Sequence, residues 1–295
     1  MEADAEDRKT IAEIICEFEQ SSILMGLLGA IWRLGNFRSP SALAARSDFG
    51  GAGAMASSGE LSATGGAARR ALRWLSGRVL PRVAYPVVRG PLRGRWFVLG
   101  AAGGAGGGAS VYVNHVEPKK TDALLRVLKP GQVVFDVGAD IGYTLLAALR
   151  TGPGGRVFAF EPSPRNISYL HRHLVLNGAT NVVVVPAACS DSSGLAMFEE
   201  SVDCAEGRLA EPRAAGGDSR LSLVATVTID EVVRVTGRVP DVMKIDVEGA
   251  EERVLRGAAR TLASMRPTLI LAVHSEAARV ACTTVLTPLG YTAET

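Results

Sequence analysis

Several features that define common protein classes are scarce in this 295-residue chain. Its four cysteines form no C-x-x-C pair and no metal-ligand spacing, which argues against a disulfide framework or a structural zinc site. The acidic first twenty residues lack the basic start of a secretory signal, and the apolar run from Ile23 to Leu34 is too short to span a bilayer. A net charge of only +2 does not indicate specific nucleic-acid binding. Together these absences predict a cytoplasmic protein.

The composition predicts one domain preceded by a long extension. Hydrophobic residues make up 47% of the chain, enough for a core, while aromatic residues contribute only 5%. We place the extension at residues 1–82 and the main domain at residues 83–295. Within the extension, apolar residues at helical spacing predict a helix from Ile11 to Leu34, and a Ser-, Ala- and Gly-rich stretch at 38–66 predicts a disordered linker.

Acidic residues are absent between Leu61 and Ser110, where eight arginines fall. Apolar residues at helical spacing predict a short basic amphipathic helix in this part of the chain. One interpretation is peripheral contact of segment 69–95 with an anionic membrane surface or an acidic partner. The other interpretation is a solvated helix that leads into the domain.

The stretch from Val133 to Tyr143 is a candidate cofactor turn. A short apolar run, typical of a buried parallel strand, ends at Asp136. Gly138 and Gly142 then flank a tight turn, and a helical pattern begins at Ile141. The middle glycine of G-x-G-x-x-G, which lets such a turn close on a dinucleotide pyrophosphate, is missing. We therefore expect S-adenosylmethionine, whose cationic methionine end suits Asp136; the alternative is a tight turn in some other α/β protein.

A second acidic residue follows at the expected distance. Arg156 to Phe160 is another apolar strand, and Glu161 at its end stands nineteen residues after Gly142. An acid at that position accepts hydrogen bonds from the ribose hydroxyls of an adenosine cofactor. The predicted cofactor-binding residues are Asp136, Gly138, Ala139, Asp140, Gly142, Glu161, Ser190 and Asp191. For the last two, the alternative to an adenine contact is an ordinary turn.

Strands and helices alternate from residue 133 onwards, which predicts an α/β fold with a doubly wound, mostly parallel sheet. In such a sheet the ligand site lies beyond the carboxyl ends of the strands. Polar residues fall at or just past several of these ends: Asp136, Glu161, Asp191, Asp246 and His274. The Gly-, Ala- and charge-rich stretch 199–221 interrupts the alternation and is interpreted as a substrate-side flap.

Four sequence blocks stand in order in this domain: F-D-V-G-A-D-I-G-Y, V-F-A-F-E-P-S-P-R-N, N-V-V-V-V-P-A-A-C-S-D and V-M-K-I-D-V-E-G-A-E-E-R-V-L-R-G-A. They resemble the FkbM-type family of methyltransferases, and the similarity runs from about Tyr85 to the C-terminus. The resemblance implies a class I methyltransferase (Rossmann-like) fold that uses S-adenosylmethionine, mostly for O-methylation of hydroxyls on sugars or natural products such as glycosides and polyketides. Asp140 stands where the family usually has Asn, and Ala272 where Glu is common.

Asp246 and His274 are the candidate catalytic residues, because both lie at strand ends beside the expected methyl group. A histidine there is a candidate general base, although it could equally be a satisfied histidine at a sheet edge. Lys244 points to the same face as Asp246 and is interpreted as its buried partner. An alternative role for Asp246 and His274 is to share a divalent cation.

Two other function classes remain open from the sequence. An NAD-dependent oxidoreductase would reuse Glu161, and a non-catalytic cofactor-binding module of the same fold would need no base. The second has support from the C-terminus, where the antiparallel hairpin that normally ends this fold is incomplete. The apolar strand Thr268 to His274 would then lie at an exposed sheet edge, which predicts a homodimer or poor solubility, unless the helix at Ile11 to Leu34 covers that edge.

Overall fold

A parallel sheet of seven strands forms the centre of the computed structural model, which describes residues 11–16, 83–101, 111–112, 118–142, 144–200, 207–210 and 220–294. In chain order the strands are β1 (Ile11–Cys16), β2 (Ala84–Pro86), β3 (Trp96–Val98), β4 (Val133–Val137), β5 (Arg156–Phe160), β6 (Val182–Val185), β7 (Ala188–Cys189), β8 (Gly194–Glu200), β9 (Gly207–Leu209), β10 (Arg220–Val227), β11 (Val242–Ile245), β12 (Thr268–Val273) and β13 (Thr292–Glu294). The helices are α1 (Pro118–Val127), α2 (Thr144–Thr151), α3 (Pro164–Leu176), α4 (Ile229–Thr236), α5 (Glu251–Gly257), α6 (Ala259–Met265) and α7 (Glu276–Leu286).

The strand order of the large sheet is β13-β1-β12-β11-β4-β5-β6, and all of its neighbouring strands run parallel. The carboxyl ends of these strands therefore meet at one edge of the sheet. Since β4 lies between β11 and β5, the residues that follow these three strands are brought side by side. The prediction of a doubly wound, mostly parallel α/β sheet is confirmed.

Two hydrophobic cores lie on opposite faces of the sheet, because successive strand residues point to opposite sides. On β4, for example, Phe135 and Val137 join one core while Val134 joins the other. Helices α4 to α7 contribute to the first core, and helices α1 to α3 contribute to the second. The resulting three layers bury both faces of the central strands β4, β5, β11 and β12, in agreement with their nearly continuous apolar sequences.

The stretch 199–221, predicted to be a flap, begins inside a strand. A mixed sheet of order β7-β10-β8-β9 stands between β6 and α4 in the sequence. Strand β7 pairs with β10 in parallel, whereas β8 pairs antiparallel with β10 along its whole length. Residues 201–206 and 211–219 lie outside the described residues. A separate two-stranded sheet, β2-β3, packs near α3.

The N-terminal part of the sheet corrects one prediction. Ile11–Cys16 was expected to begin a helix, but it forms β1, which pairs in parallel with both β12 and β13. Helical spacing of apolar residues is a local signal, and the backbone pairing available along β12 overrides it. The rest of the expected helix, the linker at 38–66 and residues 69–82 of the basic segment lie outside the described residues. The domain boundary near residue 82 stays a prediction.

The exposed edge predicted for Thr268–His274 is also wrong. Strand β12 lies between β1 and β11, and β13 pairs with β1 instead of β12. The N-terminal segment does protect this edge, but as a strand and not as a helix. The reason given for dimerisation or poor solubility is thereby removed, and a homodimer itself stays an untested prediction. Within the part of the chain that the structure describes, every helix is too short or too polar to cross a membrane.

Candidate cofactor-binding and active site

Asp136 lies inside β4, directly opposite Lys244 of β11 in the register of the two strands. Both side chains are buried, and Lys244 Nζ donates to Asp136 Oδ1 at 3.0 Å and to the carbonyl oxygen of Gly138 at 2.9 Å. The hydroxyl of Thr144 donates to the second oxygen, Oδ2, at 2.6 Å. Lys244 was predicted to be the partner of Asp246, but its nearer carboxylate is Asp136; the nitrogen lies 3.7 Å from Asp246 Oδ2.

The two glycines of the predicted turn are required by close packing. Gly138 has a φ of 79°, and a Cβ at this position would overlap the backbone carbonyl oxygen of Asp246. A Cβ on Gly142 would lie 2.6 Å from Cε1 of Phe97. The turn is thus pressed against the end of β11 on one side and against β3 on the other. The sequence pattern located the turn correctly, while these neighbours became visible only in the structure.

Glu161 follows β5 and lies beside the turn, as predicted. Its Oε2 accepts from the backbone N–H of Asp140 at 2.9 Å, and its Oε1 accepts from the backbone N–H of Ser163 at 2.9 Å and from Asn166 Nδ2 at 3.4 Å. Burial raises the pKa of Glu161 to about 7, with the charge of Asp140 adding to the effect. The pKa of Asp140 is itself raised to about 6, chiefly by desolvation. This acidic pair therefore titrates near neutral pH.

His173, which the sequence did not single out for this site, supports the same turn. Its ring is buried; Nε2 accepts from the backbone N–H of Val98 at 3.0 Å, and Nδ1 lies 2.6 Å from the carbonyl oxygen of Ile141. Because Nε2 is the acceptor, we assign the ring proton to Nδ1, which then donates to Ile141. Burial lowers the pKa of His173, so the neutral ring links β3 to the turn.

Ser190 and Asp191 follow β7 and lie against α5. The Ser190 hydroxyl donates to Asp191 Oδ1 at 3.1 Å, and Arg253 of α5 forms an ion pair with the same oxygen at 3.3 Å. A Cβ on Gly257 would overlap the carbonyl oxygen of Ser190, so this loop touches the helix closely. No hydrogen bond found among the described residues joins this loop to Glu161. The adenine contact stays a prediction.

Asp246 and His274 come together at the ends of β11 and β12, as expected. His274 Nε2 lies 3.2 Å from Asp246 Oδ1. The other carboxylate oxygen, Oδ2, accepts from Nζ of Lys120 at 2.8 Å. Lys120 comes from α1, 126 residues earlier in the chain, and sequence reasoning missed it. The only local signal was a second lysine, Lys119, beside it in the first turn of a helix.

The electrostatics of this cluster restrict what each group can do. Burial alone would raise the pKa of Asp246, but Lys244, His274 and Lys120 outweigh it and hold that pKa far below its usual range. The hydrogen bond to Asp246 raises the pKa of His274 to about 9; desolvation opposes this, and the charges of Glu248 and Glu251 add to it. Near neutral pH, therefore, Asp246 is a carboxylate and His274 is an imidazolium.

A divalent cation does not fit this arrangement well. One ligand atom each from Asp246, Glu248 and His274 lies within 4.8 Å of the others, which is close enough for shared coordination. However, the ammonium group of Lys120 lies against Asp246 and that of Lys244 is 3.7 Å away, so two cations already compensate the charge of this carboxylate. We therefore assign no metal to these residues.

The parallel sheet, with a glycine turn after β4 and acids after β5 and β11, is that of a class I methyltransferase. The chain belongs to the FkbM methyltransferase domain family, whose model matches residues 136–285. The family resemblance noted from the sequence is thereby confirmed. The matched segment contains all the predicted site residues but not Lys120.

Two curated relatives match about half of the chain. The hexuronic acid methyltransferase AglP of Haloferax volcanii is 33% identical over 159 residues, which are 52% of this chain and 60% of AglP. The 31-O-demethyl-FK506 methyltransferase FkbM of Streptomyces tacrolimicus is 31% identical over 158 residues, 44% of this chain and 60% of that protein. The match thus spans 60% of the length of each relative. A crystal structure of methyltransferase FkbM from Methylobacillus flagellatus is 20% identical, with a TM-score of 0.38, over 61% of this chain and 48% of that chain.

Proposed function

We propose that this chain is an S-adenosylmethionine-dependent methyltransferase that methylates a hydroxyl of a sugar or natural product. The observation that supports it best is the meeting of two groups of residues at one edge of the sheet. These are the turn with Glu161 and Asp140, and the Asp246–His274 pair. Family membership supports methyl transfer, and the names of the two relatives, a hexuronic acid and an FK506 methyltransferase, support the acceptor class.

The turn and Glu161 would hold the cofactor, which when bound supplies an electrophilic methyl group. Oε2 of Glu161 accepts one backbone N–H, that of Asp140, so its second lone pair can accept a ribose hydroxyl. Oε1 already accepts from Ser163 and, at 3.4 Å, from Asn166. The bonds from Asp140 and Ser163 keep the carboxylate in one orientation. The two carboxylate oxygens of Asp136 already accept from Lys244 and Thr144. We therefore expect Asp136 to contact the methionine end of the cofactor through a bridging water.

Methylation of a hydroxyl also requires a group that accepts the hydroxyl proton. Asp246 is a weak base because its neighbouring cations stabilise its ionised form. His274 is the better candidate, but it must first lose the proton that it holds near neutral pH. A neutral His274 would then accept the hydroxyl proton while the oxygen–methyl bond forms and the bond between that methyl group and the sulfonium sulfur breaks. The rate of methyl transfer should therefore rise with pH toward about 9.

Cofactor binding is the first test, by titration calorimetry with S-adenosylhomocysteine and, in parallel, with NAD. Binding of S-adenosylhomocysteine alone is expected. Binding of NAD alone would contradict the proposal and favour the oxidoreductase alternative. Membrane contact by segment 69–95 and a cytoplasmic location stay predictions that this assay does not address.

Turnover is the second test, with a radiolabelled methyl donor and two acceptor probes, glucuronic acid and a polyketide that carries a free hydroxyl. His274→Ala should lower the rate by about 10²–10⁴, the usual cost of losing a general base. His171→Ala is the matched control, because that histidine is exposed on α3. If the wild type binds S-adenosylhomocysteine but methylates neither probe between pH 7 and 10, the non-catalytic module becomes the better interpretation.

A further inference from the structure

Lys120 has an unfavourable position for a lysine. It is the third residue of α1, where the positive end of the helix dipole disfavours a cation. Its neighbour Lys119 is exposed, whereas Lys120 is only 1% exposed. Burying an ammonium group is costly unless a partner charge lies close by. The partner is Asp246, whose Oδ2 lies 2.8 Å from Lys120 Nζ.

Asp246 is shared between Lys120 and His274. Lys120 bonds to Oδ2, while His274 Nε2 lies 3.2 Å from Oδ1. Lys244 is the second cation near Oδ2, at 3.7 Å, but its shorter ion pair is with Asp136 at 3.0 Å. Lys120 therefore provides the closest positive charge to the carboxylate that orients the candidate base.

Three carboxylates lie within 4 Å of the ring nitrogens of His274. Besides Asp246, Glu248 Oε2 lies 3.6 Å from Nδ1, and Glu251 Oε1 lies 3.9 Å from Nε2. All three favour the protonated ring. The cations on the far side of Asp246, Lys120 and Lys244, act in the opposite direction. Removing one of these two lysines should therefore stabilise the protonated form of the imidazole.

We propose that Lys120 is a positioning residue: it bonds to Oδ2 of Asp246, so that Oδ1 faces His274, and it limits how strongly the charge of Asp246 stabilises the protonated imidazole. The proposal rests on the function proposed above, since it gives His274 the role of a base. Without Lys120, a larger fraction of His274 would stay protonated at the working pH. Lys120 would act only through Asp246 and would not touch the acceptor.

The experiment follows the ring signals of His274 by NMR between pH 6 and 11 in histidine-labelled protein, with His274→Gln to assign them. Lys120→Met should raise the midpoint of the His274 titration by about one pH unit, the lower end of the shift that one adjacent charge causes. Lys119→Met is the matched control and should leave the midpoint unchanged, because that side chain is exposed. Lys120→Arg keeps the positive charge and should stay close to the wild type.

Two results would overturn the proposal. One is an unchanged or lower midpoint of the His274 titration in a folded Lys120→Met variant. If that variant does not fold, a midpoint raised by a full pH unit in Lys120→Arg has the same meaning. The other is a tenfold weaker binding of S-adenosylhomocysteine in Lys120→Met with an unchanged midpoint, which would assign Lys120 to the cofactor. The NMR measurement needs neither cofactor nor acceptor. A wild type that fails to bind S-adenosylhomocysteine would therefore refute the proposed function and still leave the titration readable.

The rate of methyl transfer provides a second readout once an acceptor probe is turned over. At pH 8, Lys120→Met should lower kcat about tenfold, because a midpoint one unit higher reduces the neutral fraction of His274 by that factor. The Asp246→Asn variant should show a much smaller effect of Lys120→Met, since the residue through which Lys120 acts has lost its charge. Equal effects in both backgrounds would contradict a role that passes through Asp246.

Discussion

Replacing Gly138 by alanine tests whether the glycine turn is packed against the strand end that carries Asp246. Gly138 has a φ of 79°, and the added Cβ would overlap the carbonyl oxygen of Asp246. The left-handed conformation costs an L-residue roughly 1–2 kcal/mol. Overpacking of a closed interior adds typically about 1–3 kcal/mol, and a backbone atom cannot rotate away as a side chain can. We expect Gly138→Ala to lower the free energy of unfolding by about 3 kcal/mol.

Gly131, which lies just before β4 whereas Gly138 lies just after it, provides a matched control. Its φ is 84°, but no heavy atom lies within 4 Å of a Cβ built there, so Gly131→Ala carries the conformational cost alone. We expect a loss of about 1 kcal/mol for that variant. Urea denaturation of both variants, followed by circular dichroism, measures the difference. Equal destabilisation of the two variants would refute the close packing of the turn against Asp246.

Three further predictions concern the cofactor turn and the sheet. Glu161→Gln should raise the dissociation constant of S-adenosylhomocysteine at least about tenfold, because one charge-assisted bond contributes roughly 1.5–3 kcal/mol; an unchanged constant in calorimetry would remove Glu161 from the site. Burial lowers the pKa of His173, whereas in the unfolded chain its pKa is about 6.5, so the unfolded chain binds more protons. The stability contributed by the neutral ring is therefore lost as the pH falls below about 6.5. Urea denaturation at several pH values should show this loss disappear in His173→Gln but persist in the exposed-site control His171→Gln. Deleting residues 1–16 removes β1 and leaves the outer edge of β12 unpaired. This variant should be less stable and more prone to aggregate than one that lacks only residues 1–10. Equal behaviour of the two variants in sedimentation and thermal melting would contradict the pairing of β1 with β12.

The central strands and the ligand-binding edge could be predicted from the sequence alone. Strands such as Val133–Val137 and Val242–Ile245 are buried in a parallel sheet, and that setting demands continuous apolar residues. The carboxyl ends of parallel strands share one edge, so the acids after two of them had to lie near each other. Glu161 and the turn at Asp140 meet for this reason.

The first strand could not be predicted, because its conformation depends on a partner far away in the chain. Ile11–Cys16 has an apolar spacing that suits a helix, yet it pairs with β12, more than 250 residues later. Local periodicity reports which face is apolar, whereas strand pairing depends on an edge that another part of the chain provides. The expected exposed edge and the reason for dimerisation were wrong for the same cause.

The sequence by itself determined the alternation of the central strands β4, β5, β6, β11 and β12 with their helices, because it follows from local burial and chain direction. For the same reason it determined the strand-end position of Glu161, Asp246 and His274. Only the tertiary structure decided the charge state of that site. Lys120 reaches Asp246 across 126 residues of sequence, and His274 becomes protonated because three acids converge on it. A pKa depends on distances between groups in space, and the spacing of residues along the chain does not contain those distances.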